Sequence, residues 1–108
     1  MKREPIDISN FLQLVDDAHC CAVSARIVYE GQKVGFMYRD APVYDEDSGW
    51  QFLAGTEDQD YLNGPGNGAM YRLNTIANFD PAVIPYLNYP VGTELERVDG
   101  SDEFVGIK

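Results

Sequence analysis

The sequence predicts an α+β domain: a mainly antiparallel sheet of about five to six strands, an N-terminal helix and a short helical turn near residues 81–87. Three observations lead there. Helical spacing of apolar residues is concentrated in the first segment; β-forming runs bounded by Gly, Asn or Asp recur through the rest; and the connections between them are short. A length of 108 residues suits one compact domain, read as a helical segment over residues 1–19 and a sheet-bearing body over 20–108.

Each element has its own local reason. In "DISNFLQLVDDAHC", Ile8, Phe11, Leu12, Val15 and Ala18 fall at helical intervals and Ser9 can cap the start, which predicts an amphipathic helix over residues 9–18. "CCAVSARIVYE" alternates Ala22, Ser24, Arg26 and Val28 against Val23, Ala25, Ile27 and Tyr29. With "EGQ" as a turn and "KVGFMYRDA" as a second strand, residues 21–39 read as a hairpin. A third strand runs through "GWQFLAG", set off by Gly49 and Gly55. "NGPGNG" is the strongest loop signal in the chain, and "AMYRLNTIANF" after it reads as another strand. In "DPAVIPYL", Asp80 can cap and Pro81 suits a first helical position, whereas Pro85 would remove an interior hydrogen bond, so one turn or a 3₁₀ piece is expected. "GTELERV" and "EFVGIK", separated by "DGSD", close the chain as a hairpin.

Charge narrows the function classes. Eighteen Asp and Glu oppose eight Lys and Arg, for a formal net charge of −10. A phosphate backbone or an anionic membrane needs a basic footprint, so direct binding to either is not expected. The start "MKREPIDISN" lacks the apolar core of a signal peptide, and no apolar run approaches the ~18 residues of a membrane span. Cys20 and Cys21 are neighbours with no third cysteine, which excludes a disulfide framework and makes the cytoplasm the expected compartment.

The conspicuous stretch is Asp45 to Leu62, "DEDSGWQFLAGTEDQDYL", with six carboxylates around the chain's single tryptophan. A calcium loop of the EF-hand kind needs oxygen ligands at positions 1, 3 and 5, Gly at 6 and Glu at 12. Counting from Asp45 puts Gly49, Trp50 and Thr56 at positions 5, 6 and 12, and counting from Asp58 reaches Leu62 and Asn63; both registers fail. His19 is the sole histidine, and adjacent His19, Cys20 and Cys21 cannot all point at one tetrahedral zinc. No metal or other cofactor is therefore expected. With His19 placed directly before Cys20 and Cys21, no second histidine is left to complete a serine triad, and "GPGNG" lacks the lysine of a phosphate loop. Carboxylates are abundant enough for a hydrolytic pair acting with a divalent ion, yet nothing singles one pair out. A binding role without catalysis is the expectation.

A solvated acidic face is the plain alternative. Against it stands the sign pattern: from Asp40 to Tyr71 there are seven carboxylates and no base, and from Asp40 to Glu96 the only base is Arg72. A face shaped for solubility alone intersperses signs, whereas a one-sign field steers an oppositely charged partner. Tyr44, Asp45, Glu46, Asp47, Trp50, Glu57, Asp58, Asp60 and Tyr61 are accordingly the candidate contacts for a basic protein partner, with the aromatics as anchors. For Trp50 the competing expectation is core packing on a strand.

Five blocks, in order, carry a resemblance: "CAVSARI", "VGFMYRDAP", "DSGWQFLAGTEDQDYL", "NTIANFDPAVIPYL" and "PVGTELER". Together they cover about residues 20–98 and resemble a small bacterial domain family grouped with the immunity proteins of polymorphic toxin systems. Ala25 and Gln51 depart from the family's pattern, in which Lys and Arg are common at these positions. The resemblance implies an intracellular protein that neutralises a toxin domain by binding it. A second reading is a housekeeping module for a small molecule or peptide, with Trp50, Asn74 and Asn78 lining a cleft. A structural expectation runs beside both: Gly49 for an unusual backbone conformation, Asp47 for capping a turn, and Asn74, Asn78 and Asp80 for turns and caps.

Overall fold

A computed structural model describes residues 14, 15, 19–64 and 66–107. The elements are β1 (Cys20–Ser24), α1 (Ala25–Val28), β2 (Phe36–Arg39), β3 (Asp47–Leu53), α2 (Gln59–Asn63), β4 (Gly68–Arg72), α3 (Leu73–Phe79), a 3₁₀ helix (Pro81–Tyr86), β5 (Glu94–Arg97) and β6 (Phe104–Gly106). The strands form one sheet in the order β4-β1-β3-β2-β5-β6. Four of its pairings are antiparallel, and only β1 with β3 is parallel. The α+β architecture with a mainly antiparallel sheet is the one expected. The helix read over residues 9–18 falls largely outside the described residues.

The hairpin over residues 21–39 does not form. Ser24 is extended and its hydroxyl accepts the Arg26 N–H at 3.2 Å, which starts a helical turn in place of a longer strand. Ile27 and Val28 are then both buried at 1% exposure, an arrangement that alternation along one strand cannot give. With β1 ended at Ser24, β2 pairs with β3 and β5, and β3 lies between β1 and β2. The strand predicted from Ala69 to Phe79 is also half right. It stops at Arg72, and Leu73, Ile76 and Ala77 lie at helical spacing, with Ile76 and Ala77 turned into the core of α3. The 3₁₀ helix, with Asp80 accepting the Ala82 N–H at 3.3 Å and Pro85 inside it, and the closing β5–β6 hairpin are as read from the sequence.

One face of the sheet carries the core. Val23, Phe52, Met37 and Leu95 stand side by side across β1, β3, β2 and β5, and all four are buried. Trp50, Cys21, Ile27, Val28, Val34, Ile76, Val83 and Phe104 complete the cluster, with Leu73, Phe79, Tyr86 and Leu87 packed against it from α3 and the segments that follow. Each large side chain so buried contributes roughly 1.5–3 kcal/mol. The result is two layers, helices over one face of a sheet, and the other face is left without a helical cover of that kind.

A buried ion pair locks the far edge. Asp80 is 5% exposed and accepts the Val34 N–H at 2.9 Å while pairing with Arg97. Arg97 also donates to the Val34 and Ser101 carbonyls at 2.7 and 3.0 Å, and its guanidinium lies 4.8 Å from the Phe104 ring centre. The network ties the 3₁₀ helix, the β5–β6 hairpin and the approach to β2 together.

Candidate functional site

Strand β3 runs through the middle of the acidic stretch, and its two ends are built differently. At the N-terminal end Asp47 is nearly buried; its carboxylate accepts the Gly49 N–H at 2.8 Å and the Val43 N–H at 3.0 Å. Ser48 donates to the Cys20 carbonyl at 2.6 Å and accepts the Trp50 N–H at 3.2 Å. Gly49 sits at φ 85°, where a Cβ would lie 1.9 Å from the Asp40 carbonyl oxygen. Trp50 is fully buried, donates its indole N–H to the Leu87 carbonyl at 3.0 Å and stacks on Phe52. "DSGW" is therefore a shape: an Asx-type turn, a left-handed glycine and a core anchor, all set by local hydrogen bonds. Asp47 and Trp50, expected among the partner contacts, have their side chains engaged inside the fold.

At the C-terminal end of β3, Glu57 accepts the Ala54 and Gly55 N–H groups, each at 2.9 Å. Partial burial pushes its pKa up, but hydrogen bonds from the Ser24 hydroxyl and three backbone N–H groups outweigh this and leave it below the ordinary value. Asp58 caps α2 by accepting the Tyr61 N–H at 2.8 Å. The Arg26 guanidinium stacks 4.2 Å from the Tyr61 ring centre and donates to the Thr56 carbonyl and hydroxyl at 2.8 and 2.7 Å. These contacts order the Ala54–Tyr61 loop.

The stretch is thus divided. Tyr44, Asp45 and Glu46 stand exposed before β3, while Asp58 and Asp60 stand exposed beyond it, on α2 or at its cap. Seven residues of strand put the two groups roughly 20 Å apart. Of its six carboxylates, Asp47, Glu57 and Asp58 are occupied by backbone N–H groups; Asp45, Glu46 and Asp60 have no hydrogen bond or ion pair among the described residues.

The second conspicuous block is structural in the same way. Asn74 accepts the Leu14 and Val15 N–H groups at 2.7 and 3.1 Å, and Asn78 donates to the Asn74 carbonyl at 2.8 Å. Neither they nor Trp50 line any of the three concavities described around the chain. Among the described residues no group of three His, Cys, Asp or Glu side chains could hold a metal ion, and no helix is long and apolar enough to cross a membrane. Burial, then the charges of Cys20 and Asp47, push the Cys21 thiol up, opposite to what a nucleophile needs.

What the sequence reading passed over is the other face of the sheet. Met70, Ala22, Gln51, Tyr38 and Glu94 stand in register across five strands. Leu53, Phe36, Glu96 and Val105 form a second row beside them. Between this face and α2 lies a groove of about 590 Å³, lined among others by Tyr38, Gln51, Leu53, Leu62 and Met70. A one-sided sheet would carry polar residues at 36 and 38, so the aromatics there were the available signal.

The family model of the immunity protein Imm33 domain matches residues 21–108, a span that contains every described strand except the first residue of β1. No curated protein and no solved structure matches the chain. The match covers most of the chain, and the chain belongs to the Imm33 immunity protein domain family.

Proposed function

We propose that this chain neutralises a toxin by binding it, without catalysis, inside the cell that makes it. Family membership over residues 21–108 is the observation that carries this reading. The charge supports a basic partner: a net charge of −10, with Asp45, Glu46 and Asp60 exposed and unoccupied, sets up a field that speeds encounter with a positive surface. A nuclease toxin fits that sign, because an enzyme that grips phosphates presents bases. Glu57 and Asp58 contribute to the same field while holding the loop in place, and Tyr44 and Tyr61 flank the two acidic groups.

The test is co-expression with toxin domains encoded in the same gene neighbourhood, followed by binding kinetics on the purified pair. Growth should be restored, and the Asp45→Lys/Glu46→Lys/Asp60→Lys variant should associate about tenfold more slowly and with a flatter salt dependence. Absence of both rescue and binding overturns the reading.

A further inference from the structure

We propose that the open face of the sheet is the surface that grips the partner, with an apolar side chain of a basic protein seated in the groove and its flanking Arg or Lys residues meeting Glu94 and Glu96. The inference rests on the toxin-binding reading above and moves the contact from the exposed acids before β3 to a face that β2, β4 and β5 share with residues 51–62.

The face has the make-up of an interface centre. Phe36 and Tyr38 lie 5.5 Å apart, half-buried, with Leu53 and Gln51 beside them on the central strand. Met70 and Leu62, 47% and 46% exposed, form the walls on the side of β4 and α2. One row across five strands and a second across four bring these apolar side chains onto a single face. Large apolar side chains on both sides of a sheet call for two covers, and the helices supply one.

Charge selects the occupant. Glu94 is in register with Tyr38, and Glu96 with Phe36, so two exposed carboxylates border the aromatic pair directly. Asp60 lies in α2, the helix that walls the groove on its other side. Of the bases near these rows, Arg72 is in register with Cys20 at a corner, and Arg26 is already engaged by the Tyr61 ring and the Thr56 oxygens. An acidic second copy would meet like charges at Glu94 and Glu96, whereas a basic protein meets opposite ones there. Exposed acids far from the groove, such as Asp45 and Glu46, then act on encounter, and the groove acts on residence.

Kinetics with the toxin domain separate the two. The Leu62→Asp/Met70→Asp variant should dissociate at least about 50-fold faster, since anchors at a desolvated centre dominate affinity. Glu94→Lys/Glu96→Lys should raise the dissociation constant about tenfold or more, while Asp45→Lys/Glu46→Lys should leave the dissociation rate within about twofold. Wild-type dissociation rates in both groove variants, with toxin binding intact, would overturn this proposal and leave the neutralisation reading standing. A readout that needs neither toxin nor variant is amide chemical-shift mapping on the full chain with a synthetic peptide of alternating Lys and Leu. Shifts confined to the groove and its rim, on β1 to β5 and α2, support the face even if no toxin binds, in which case the neutralisation reading alone fails. Shifts elsewhere, or concentration-dependent self-association through this face, overturn it.

Discussion

Gly49 holds a conformation that a side chain cannot share, and it does so at the entrance to the central strand. Its φ of 85° and the Asp40 carbonyl 1.9 Å from a would-be Cβ leave no room for relaxation on either side. Gly49→Ala should therefore destabilise the domain by roughly 3 kcal/mol in chemical denaturation, well above an ordinary surface change. A loss under 1 kcal/mol would show that the Asp40 strand end shifts freely. Glu57 offers a second residue-scale outcome. Its folded pKa lies below the ordinary value of 4.5, so its ionised form is favoured by folding. That contribution is complete above the unfolded-state value and is lost as pH falls through the folded one. The stability gap between wild type and Glu57→Gln should be steady near neutrality and close in the acid range below 4.5. A gap that widens on acidification would contradict the hydrogen-bonded loop.

At the scale of elements, short polar caps decide where regular structure changes type. Ser24 ends β1 and opens α1, Asp58 opens α2, and Asp80 opens the 3₁₀ helix. The last was legible because Pro81 follows it in a recognisable order. Ser24 was not, because the residues after it, Ala25 to Val28, alternate well enough to pass for strand. Likewise Leu73 to Phe79 keeps helical spacing over only seven residues, too short a window to outweigh the strand signal of Ala69 to Arg72. The sheet order carries its own expectation: β3 is bonded on both sides and buries Trp50 and Phe52, whereas β4 and β6 are edges. Hydrogen–deuterium exchange should protect β3 amides longest and release those of β4 and β6 first. Equal protection of β4 and β3 would mean that something covers the β4 edge.

For the molecule as a whole, eighteen acids against eight bases make self-repulsion a standing term in its stability. Added monovalent salt screens it. The melting temperature should rise by about 5 °C between low salt and a few hundred millimolar sodium chloride, the shift of ~1 kcal/mol in a domain of this size. A fall would mean that ion pairs such as Asp80–Arg97 dominate instead. The same field that taxes the isolated chain favours association with a positive partner, so both effects should fade over one range of ionic strength.

Composition, charge order and local spacing determined that this chain is an acidic α+β domain with a closing hairpin and a capped 3₁₀ turn, and the "DSGW" and "NTIAN" blocks marked its family. All of these are properties of neighbouring residues or of sums over the chain. Only the tertiary structure decided that β3 lies between β1 and β2, that half of the conspicuous carboxylates serve backbone N–H groups, and that Phe36, Tyr38, Glu94 and Glu96 share an open face. Strand order and facing depend on pairings between residues far apart in sequence, and the energy of those pairings comes from which surfaces meet, which no local pattern contains.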